Sequence, residues 1–181
     1  MKRFFVGVCL GFFTVALLPL AAEYSRGFYK RTEAFFSSPV ASLSGVVFLR
    51  KDSHGKGYFG ASRSGRRTHQ GIDLAAKVGE PVFAAKSGRV VFAGEDKGYG
   101  QYIDILHPDG FTTRYAHLSA LRATEGDWVK RGDTVGLAGK TGNANDPKIT
   151  PHLHFEVRYE GRVLNPEVNL FDSSVKIVPS R

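Results

Sequence analysis

Beyond residue 45 the chain alternates apolar and polar positions in short runs, and most runs end at glycine, proline or aspartate. A period of two is typical of β-strands, and the small polar residues between the runs are typical of turns. The predicted strands are 81–85, 88–93, 101–106, 111–117, 127–129, 134–138, 152–159 and 162–164. No long helical period follows residue 45, although Ser119 to Arg122 is predicted to form one helical turn. The pattern therefore predicts a mainly β domain of antiparallel sheets.

The N-terminus has a different pattern, in which Lys2 and Arg3 precede an uncharged apolar stretch at residues 4–22. A cationic start followed by an apolar segment directs a chain to export, and this stretch is just long enough to span a bilayer. We expect an N-terminal hydrophobic helix that anchors the chain in the inner membrane. Signal cleavage after Ala21 or Ala22 is the alternative. Either way the remainder is expected in the cell envelope, facing the periplasm or exported.

Four segments follow from these patterns. They are a signal peptide or membrane anchor at 1–22, a spacer at 23–44, the β domain at 45–171 and a C-terminal tail at 172–181. The spacer mixes cations with aromatic residues, which suits a short helix on a membrane surface. A packed N-terminal arm of the domain is the alternative for this segment.

The net charge and the cysteine content limit the class of partner and the kind of metal site that the chain can have. The formal net charge of +8 favours anionic partners such as nucleic acid, acidic lipid or bacterial wall polymers. No nucleic-acid-binding motif accompanies the charge, so no nucleic-acid partner is expected. The single cysteine, Cys9, excludes a disulfide within the chain and a cysteine-rich zinc ribbon. A metal site would therefore use histidine and carboxylate.

His152 and His154 lie two residues apart in the predicted strand 152–159. Side chains at i and i+2 of a strand point to the same face, and the points at which these two side chains leave the backbone are about 7 Å apart. That spacing lets one imidazole bind a metal while the other reaches the water or substrate beside it. A catalytic zinc ion needs three protein ligands and one open position. His154 is the natural third ligand, beside two from a polar pair that lies upstream.

A second polar pair, His69 and Asp73, lies well upstream with Gly71 between its members. On a straight strand the two would be about 13 Å apart, too far to share one ion. Gly71 disfavours a helix and permits a bend, so we expect His69 and Asp73 to converge across it. Taken alone, this spacing is more often structural than metal-binding.

Three further histidines are less informative. His117 ends a predicted strand, where active-site residues often project, but a core histidine is the alternative. His54 is interpreted as a loop residue and His107 as a turn residue, both without a role in chemistry.

The combined motifs resemble the lysostaphin and LytM type of zinc metallopeptidase, the peptidase family M23. The resemblance covers residues 45–171 and rests on segments that keep the family's order and spacing. They are Phe59-Gly60 with Arg63, 69–76, 79–85, 88–91, 115–118, 126–129, 139–142, 151–158 and Asn165-Pro166.

The resemblance implies a duplicated-hairpin β fold that holds one Zn²⁺ per chain and hydrolyses peptide cross-links of peptidoglycan. It implies zinc ligands at His69, Asp73 and His154, and catalytic roles for His117 and His152. One departure is a longer loop at residues 143–150, before the His-x-His motif, which affects the expected substrate groove.

Three other functions compete with this one. Some relatives lack the ligands and only activate a cell-wall amidase, whereas all five positions are occupied here. A lipoyl carrier would use Lys97 in its turn, but it leaves the histidines unexplained. A structural zinc protein without turnover is the third.

Overall fold

The computed structural model describes residues 21, 23–42, 44–63, 65, 67–168 and 170–179. The chain divides into two compact units, Met1–Ala34 and Phe35–Arg181. In the first unit, residues 23–32 form helix α1. Apart from Ala21, the predicted anchor or signal segment lies outside the described residues. Among the residues described, no helix is both long and apolar enough to cross a membrane.

The second unit is mainly β, as the alternating pattern predicts. The strands of its described part are β1 (Val46–Leu49), β2 (Lys51–Asp52), β3 (Gly55–Lys56), β4 (Ser62–Arg63), β5 (Arg67–Thr68), β6 (Ile72–Ala75), β7 (Pro81–Phe83), β8 (Gly88–Asp96), β9 (Gly100–Leu106), β10 (Phe111–Leu118), β11 (Ala120–Leu121), β12 (Trp128–Val129), β13 (Thr134–Leu137), β14 (His152–Tyr159), β15 (Arg162–Leu164) and β16 (Lys176–Pro179). A 3₁₀ turn at Gly142–Ala144 lies between β13 and β14.

The strands form one large sheet and three small ones. The large sheet has the order β12-β8-β9-β10-β14-β6-β1-β16, and β15 pairs with the C-terminal half of β14. A second sheet has the order β11-β13-β7, and β2-β3 and β4-β5 are separate hairpins. The strand pairs are antiparallel except β1 and β16, which run parallel. The prediction of antiparallel sheets is thus confirmed apart from this one edge pair.

Strand β14 crosses the middle of the large sheet and is covered on both faces. Leu153, Phe155 and Val157 are fully buried in the hydrophobic core. His152 and His154 point to the opposite face and are also buried, at 3% and 6% exposed. The sequence pattern predicts a half-buried strand, but further protein covers the histidine face. The histidines therefore lie in a partly enclosed environment, where charges interact strongly.

The compact unit extends beyond both predicted ends of the β domain. Phe36 is 1% exposed and forms a bridge with Phe171, and Val40 is 5% exposed. Because these side chains complete the core, the segment after Phe35 is a packed arm of the domain and not a spacer. At the other end, Lys176–Pro179 of the predicted tail forms β16.

The predicted helical turn from Ser119 to Arg122 is wrong. Ser119 donates its backbone N–H to the carbonyl of Leu137, and Arg122 donates to that of Val135. The neighbouring strand β13 supplies these acceptors, so tertiary pairing makes the segment a short strand, β11.

Candidate metal centre

The register of β6 and β14 brings Asp73 and His154 face to face. The two residues are directly opposite in this antiparallel pair, so their side chains lie on the same face of the sheet. Gly71 has a steric role at this point, because a Cβ added there would lie 2.3 Å from the carbonyl oxygen of Phe155. The glycine thus lets the chain pass close to β14 and turn back from His69 to Asp73.

Three donor atoms meet on this face. His69 Nε2 lies 3.0 Å from His154 Nδ1, and each nitrogen lies 2.9 Å from Asp73 Oδ1. All three residues are buried, at 6% exposed or less. Donors bound at about 2.0–2.1 Å to one tetrahedral ion lie about 3.3 Å apart. Two imidazole nitrogens and a carboxylate at this separation fit a zinc ion with one coordination position left over.

The outer nitrogen of each donor histidine is held by an oxygen. His69 donates its Nδ1–H to the carbonyl of Tyr58 at 2.9 Å, and His154 donates its Nε2–H to Glu156 Oε1 at 3.0 Å. A neutral imidazole carries one proton, so these bonds leave Nε2 of His69 and Nδ1 of His154 with free lone pairs. Metal-ligating histidines are oriented in this way by an acceptor behind the ring.

The carboxylates around His154 set its proton affinity. Burial lowers the pKa of His154, but hydrogen bonds and charge from Asp73 and Glu156 outweigh it and raise the pKa to about 9. Burial raises the pKa of Glu156, but His154, Arg158 and Tyr99 outweigh it and lower the pKa to about 2. Without a metal the imidazole of His154 therefore carries a second proton, on Nδ1. A metal ion that binds Nδ1 would displace this proton.

Two arginines hold the other oxygen of Asp73. Arg50 donates to Asp73 Oδ2 from Nη2 at 3.0 Å and from Nε at 3.2 Å, and Arg63 donates from Nη2 at 2.6 Å. Burial opposes the ionisation of Asp73, but the neighbouring His154 and His69 outweigh it and hold its pKa well below the usual range. The arginines fix the carboxylate so that Oδ1 faces the histidines.

His117 and His152 form a second pair beside the donor set, with ring centroids 5.0 Å apart. His117 donates Nδ1–H to the carbonyl of Thr141 at 2.9 Å, and His152 donates to that of Thr150 at 2.7 Å. Burial lowers the pKa of His117 to about 3 and that of His152 to about 4. Both rings are therefore neutral at pH 7, and each keeps an unprotonated Nε2.

The backbone of His117 is unusual, because its φ of 62° is rare for a residue other than glycine. It lies where the register between β10 and β9 shifts, between Tyr115 and Leu118. Such conformations cost about 1–3 kcal/mol and cluster at functional sites. The irregularity turns the ring toward β14.

The five residues line one groove of about 970 Å³. The β4–β5 hairpin supplies Arg63 and Arg67 to its lining, and the loop before β14 supplies Asn143 and Asp146. The longer loop noted in the sequence thus forms part of this lining.

The other two histidines lie apart from the donor set. His54 is in the β2–β3 turn, as the loop interpretation expects, with Nε2 4.0 Å from Asp146 Oδ2 at the edge of the groove. His107 is 2% exposed, so the turn interpretation misses its burial. Its ring bonds Ser87 O and Thr113 Oγ1, because the β9–β10 turn tucks it under the sheet.

Sequence reasoning missed two residues that act on the donor set. Glu156 follows His154 by two residues on the same strand face, so the alternation that singled out the histidines could have found it. Arg50 left no local signal, because it reaches Asp73 from 23 positions away.

The comparisons with known proteins agree with this geometry. Residues 67–166 match the model of peptidase family M23. A crystal structure of a zinc containing peptidase from Vibrio cholerae superposes with a TM-score of 0.61 and 30% identity, over 76% of this chain and 41% of that one.

Two curated relatives point to different activities. The DD-carboxypeptidase/endopeptidase Mpg of Neisseria meningitidis is 44% identical over 100 residues, 55% of this chain and 22% of that protein. The murein hydrolase activator NlpD of Escherichia coli is 39% identical over 109 residues, 60% of this chain and 27% of that protein. The chain thus matches about a quarter of the length of these relatives.

Proposed function

Because this chain belongs to peptidase family M23 and is similar to the DD-carboxypeptidase/endopeptidase Mpg, we propose that it is a zinc-dependent endopeptidase that cleaves peptide cross-links of bacterial peptidoglycan. The observation that carries the proposal is the meeting of His69 Nε2, His154 Nδ1 and Asp73 Oδ1 within about 3 Å of one another. Each atom is aimed by a partner on its far side. That arrangement suits metal binding better than it suits a purely structural hydrogen-bond network.

In this proposal His69, Asp73 and His154 hold one zinc ion. A zinc ion supplies a Lewis acid for a peptide carbonyl and lowers the pKa of water to about 7. Glu156 keeps the proton of His154 on Nε2, away from the metal side. Arg50 and Arg63 hold Oδ2 of Asp73, so that Oδ1 stays turned toward the histidines.

His117 and His152 are the proposed acid–base residues. Each is neutral, and the carbonyl behind it places its proton on Nδ1, so the unprotonated Nε2 accepts a proton from the attacking water. The imidazolium that forms then donates this proton to the leaving amine. Each ring has a threonine carbonyl behind Nδ1, so both are proposed to take part in these proton transfers.

A cell-envelope location accompanies this function, with residues 4–22 as the proposed anchor or signal. The net charge of +8 favours association with anionic wall polymers. The β4–β5 hairpin and the loop before β14 both line the groove, and we propose that the peptide cross-link binds along it.

The direct test is digestion of purified peptidoglycan by the zinc-loaded full chain, with and without a chelator. We expect new amino and carboxyl termini at cross-link positions by mass spectrometry, lost with chelator and restored by zinc. The His117→Ala variant is the matched inactive control. Absence of new termini with the zinc-loaded wild-type chain would refute the proposal.

A second candidate, activation of a cell-wall amidase, is favoured by the similarity to NlpD. It predicts no cleavage by the chain alone but faster release of stem peptides when an amidase is added. That stimulation would persist in the His117→Ala variant. Stimulation that requires His117 would instead favour an endopeptidase.

A further inference from the structure

The longer loop before β14 ends at the residue that holds His152. Thr150 accepts the Nδ1–H of His152 on its carbonyl oxygen, at 2.7 Å. The same residue is fastened from the other side, because Asp52 Oδ2 accepts from its backbone N at 3.0 Å and its Oγ1 at 3.1 Å. Asp52 belongs to β2, which is 98 positions away in sequence. A distant hairpin thus fixes the end of this loop.

Asp52 is itself held firmly. Arg50 Nη1 donates to Asp52 Oδ2 at 2.5 Å, and the Asp52 side chain is 7% exposed. Burial raises the pKa of Asp52, but hydrogen bonds from Thr150, Arg50 and His54 outweigh it and lower the pKa to about 2. The same guanidinium donates to Asp73. A continuous chain of bonds therefore runs from Asp73 through Arg50, Asp52 and Thr150 to His152.

We propose that Asp52 is a positioning residue that keeps the His152 proton on Nδ1, by fixing the carbonyl of Thr150. The proposal rests on the catalytic role of His152 put forward above. A neutral imidazole places its single proton where an acceptor waits. When the Thr150 carbonyl moves away, Nδ1 loses its acceptor and the proton redistributes to Nε2. A protonated Nε2 has no lone pair with which to accept a proton from water.

His117 provides an internal comparison. Its acceptor is the carbonyl of Thr141, whose Oγ1 donates to the carbonyl of Leu118 and accepts from the backbone N of Gln101. Neither Asp52 nor Arg50 takes part in these contacts. Loss of Asp52 should therefore change His152 and leave His117 as it is.

The test uses the full chain labelled with ¹⁵N at histidine, with and without added zinc. The Asp52→Ala variant removes both carboxylate oxygens. Asp127→Ala is the matched control, because Asp127 Oδ2 accepts from the backbone N and Oγ1 of Thr124 in an exposed turn, at 2.8 and 2.9 Å. The ¹⁵N shifts of each imidazole report which nitrogen carries the proton. Turnover of a purified cross-linked muropeptide is measured in parallel.

In the wild-type chain and in Asp127→Ala, we expect the His152 shifts of a ring protonated at Nδ1. In Asp52→Ala, the shifts should move toward a mixture of tautomers, while those of His117 stay in place. Outer hydrogen-bond partners of metal-ligating histidines are worth about 10- to 100-fold in activity, and we expect a loss of kcat of the same order here, with little change in KM. Asp52→Asn, which keeps one acceptor oxygen, should recover part of both effects.

Wild-type His152 shifts in Asp52→Ala would overturn the proposal, whatever happens to turnover. If Asp52→Ala does not fold, Thr150→Val decides, since it deletes only the hydroxyl contact. It should move the same His152 signals by a smaller amount, and unmoved signals would overturn the proposal. Because the tautomer is read without turnover, an inactive wild-type chain would refute the endopeptidase function and leave this test intact.

Discussion

The buried histidines of the described residues lie in two clusters, one at the groove and one in the core. Only the groove cluster has imidazole nitrogens that face an open space. The groove cluster contains His69, His117, His152 and His154. The core cluster is built on His107, with Thr113 and Tyr115. In the core cluster His107 Nδ1 bonds Ser87 O and Nε2 bonds Thr113 Oγ1, which in turn bonds the hydroxyl of Tyr115.

In the groove cluster, one nitrogen of each imidazole donates a hydrogen bond to an oxygen behind the ring, and the other nitrogen points toward the groove. Two of the inward nitrogens, on His69 and His154, converge with Asp73 Oδ1. The other two belong to neutral rings beside that point. Burial is common to both clusters, so burial alone does not indicate chemistry. The inward nitrogen is the feature that distinguishes a candidate active site from a structural histidine.

The largest expected effect comes from removing an inward donor. In His154→Ala we expect zinc affinity to fall by more than about 100-fold, because even the outer partners of ligands are worth about 10- to 100-fold. Peptidoglycan cleavage should be lost at ordinary zinc concentrations. A competition titration with a chelating dye measures the affinity, and wild-type affinity in this variant would break the comparison.

Removing an inward nitrogen outside the donor set should separate binding from turnover. His117→Ala and His152→Ala should each retain zinc and lose about 10²- to 10⁴-fold in kcat, the range of general acid–base catalysis. Elemental analysis gives the zinc content, and release of muropeptides gives the rate. Undiminished turnover in either variant would remove that residue from the mechanism.

A smaller effect is expected from the oxygen behind His154. Glu156→Gln keeps a hydrogen-bond acceptor but removes the charge that fixes the His154 proton on Nε2. Zinc affinity should fall by about 10- to 100-fold, with the fold intact. The same dye competition measures it, and an affinity equal to wild type would show that the outer carboxylate is not needed.

The core cluster supplies the smallest effect on activity. His107→Ala leaves Ser87 O and Thr113 Oγ1 without their imidazole partner, which should cost about 1–3 kcal/mol of unfolding free energy. Zinc content and kcat should stay at wild-type values in the folded protein. Urea unfolding measures the stability, and loss of zinc in this variant would erase the distinction between the clusters.

The sequence predicts the parts of this molecule that depend on short-range order. The alternation at residues 152–159 predicts β14 with its observed bounds, because a strand imposes its period on its own side chains. The same alternation places His152 and His154 on one face. The Pro108-Asp109-Gly110 turn between β9 and β10 is also local in origin.

Features that depend on partners far along the chain were not predictable in this way. Phe36 is buried in the core because its ring packs against Phe111 and its backbone forms a bridge with Phe171. No local pattern encodes these two contacts. Residues Ser119 to Arg122 follow the hydrogen bonds of β13, which override their local preference. The bonds from Arg50 to Asp73, and from Asp52 to Thr150, likewise exist only in the folded sheet.

The most direct test of the central claim is an anomalous difference map, recorded at the zinc absorption edge, from crystals of the zinc-loaded chain. We predict one zinc ion in the groove, coordinated by His69 Nε2, Asp73 Oδ1 and His154 Nδ1, with none at His107. A map that shows no zinc at these three atoms under saturating metal, or zinc on the outer nitrogens instead, would contradict the account.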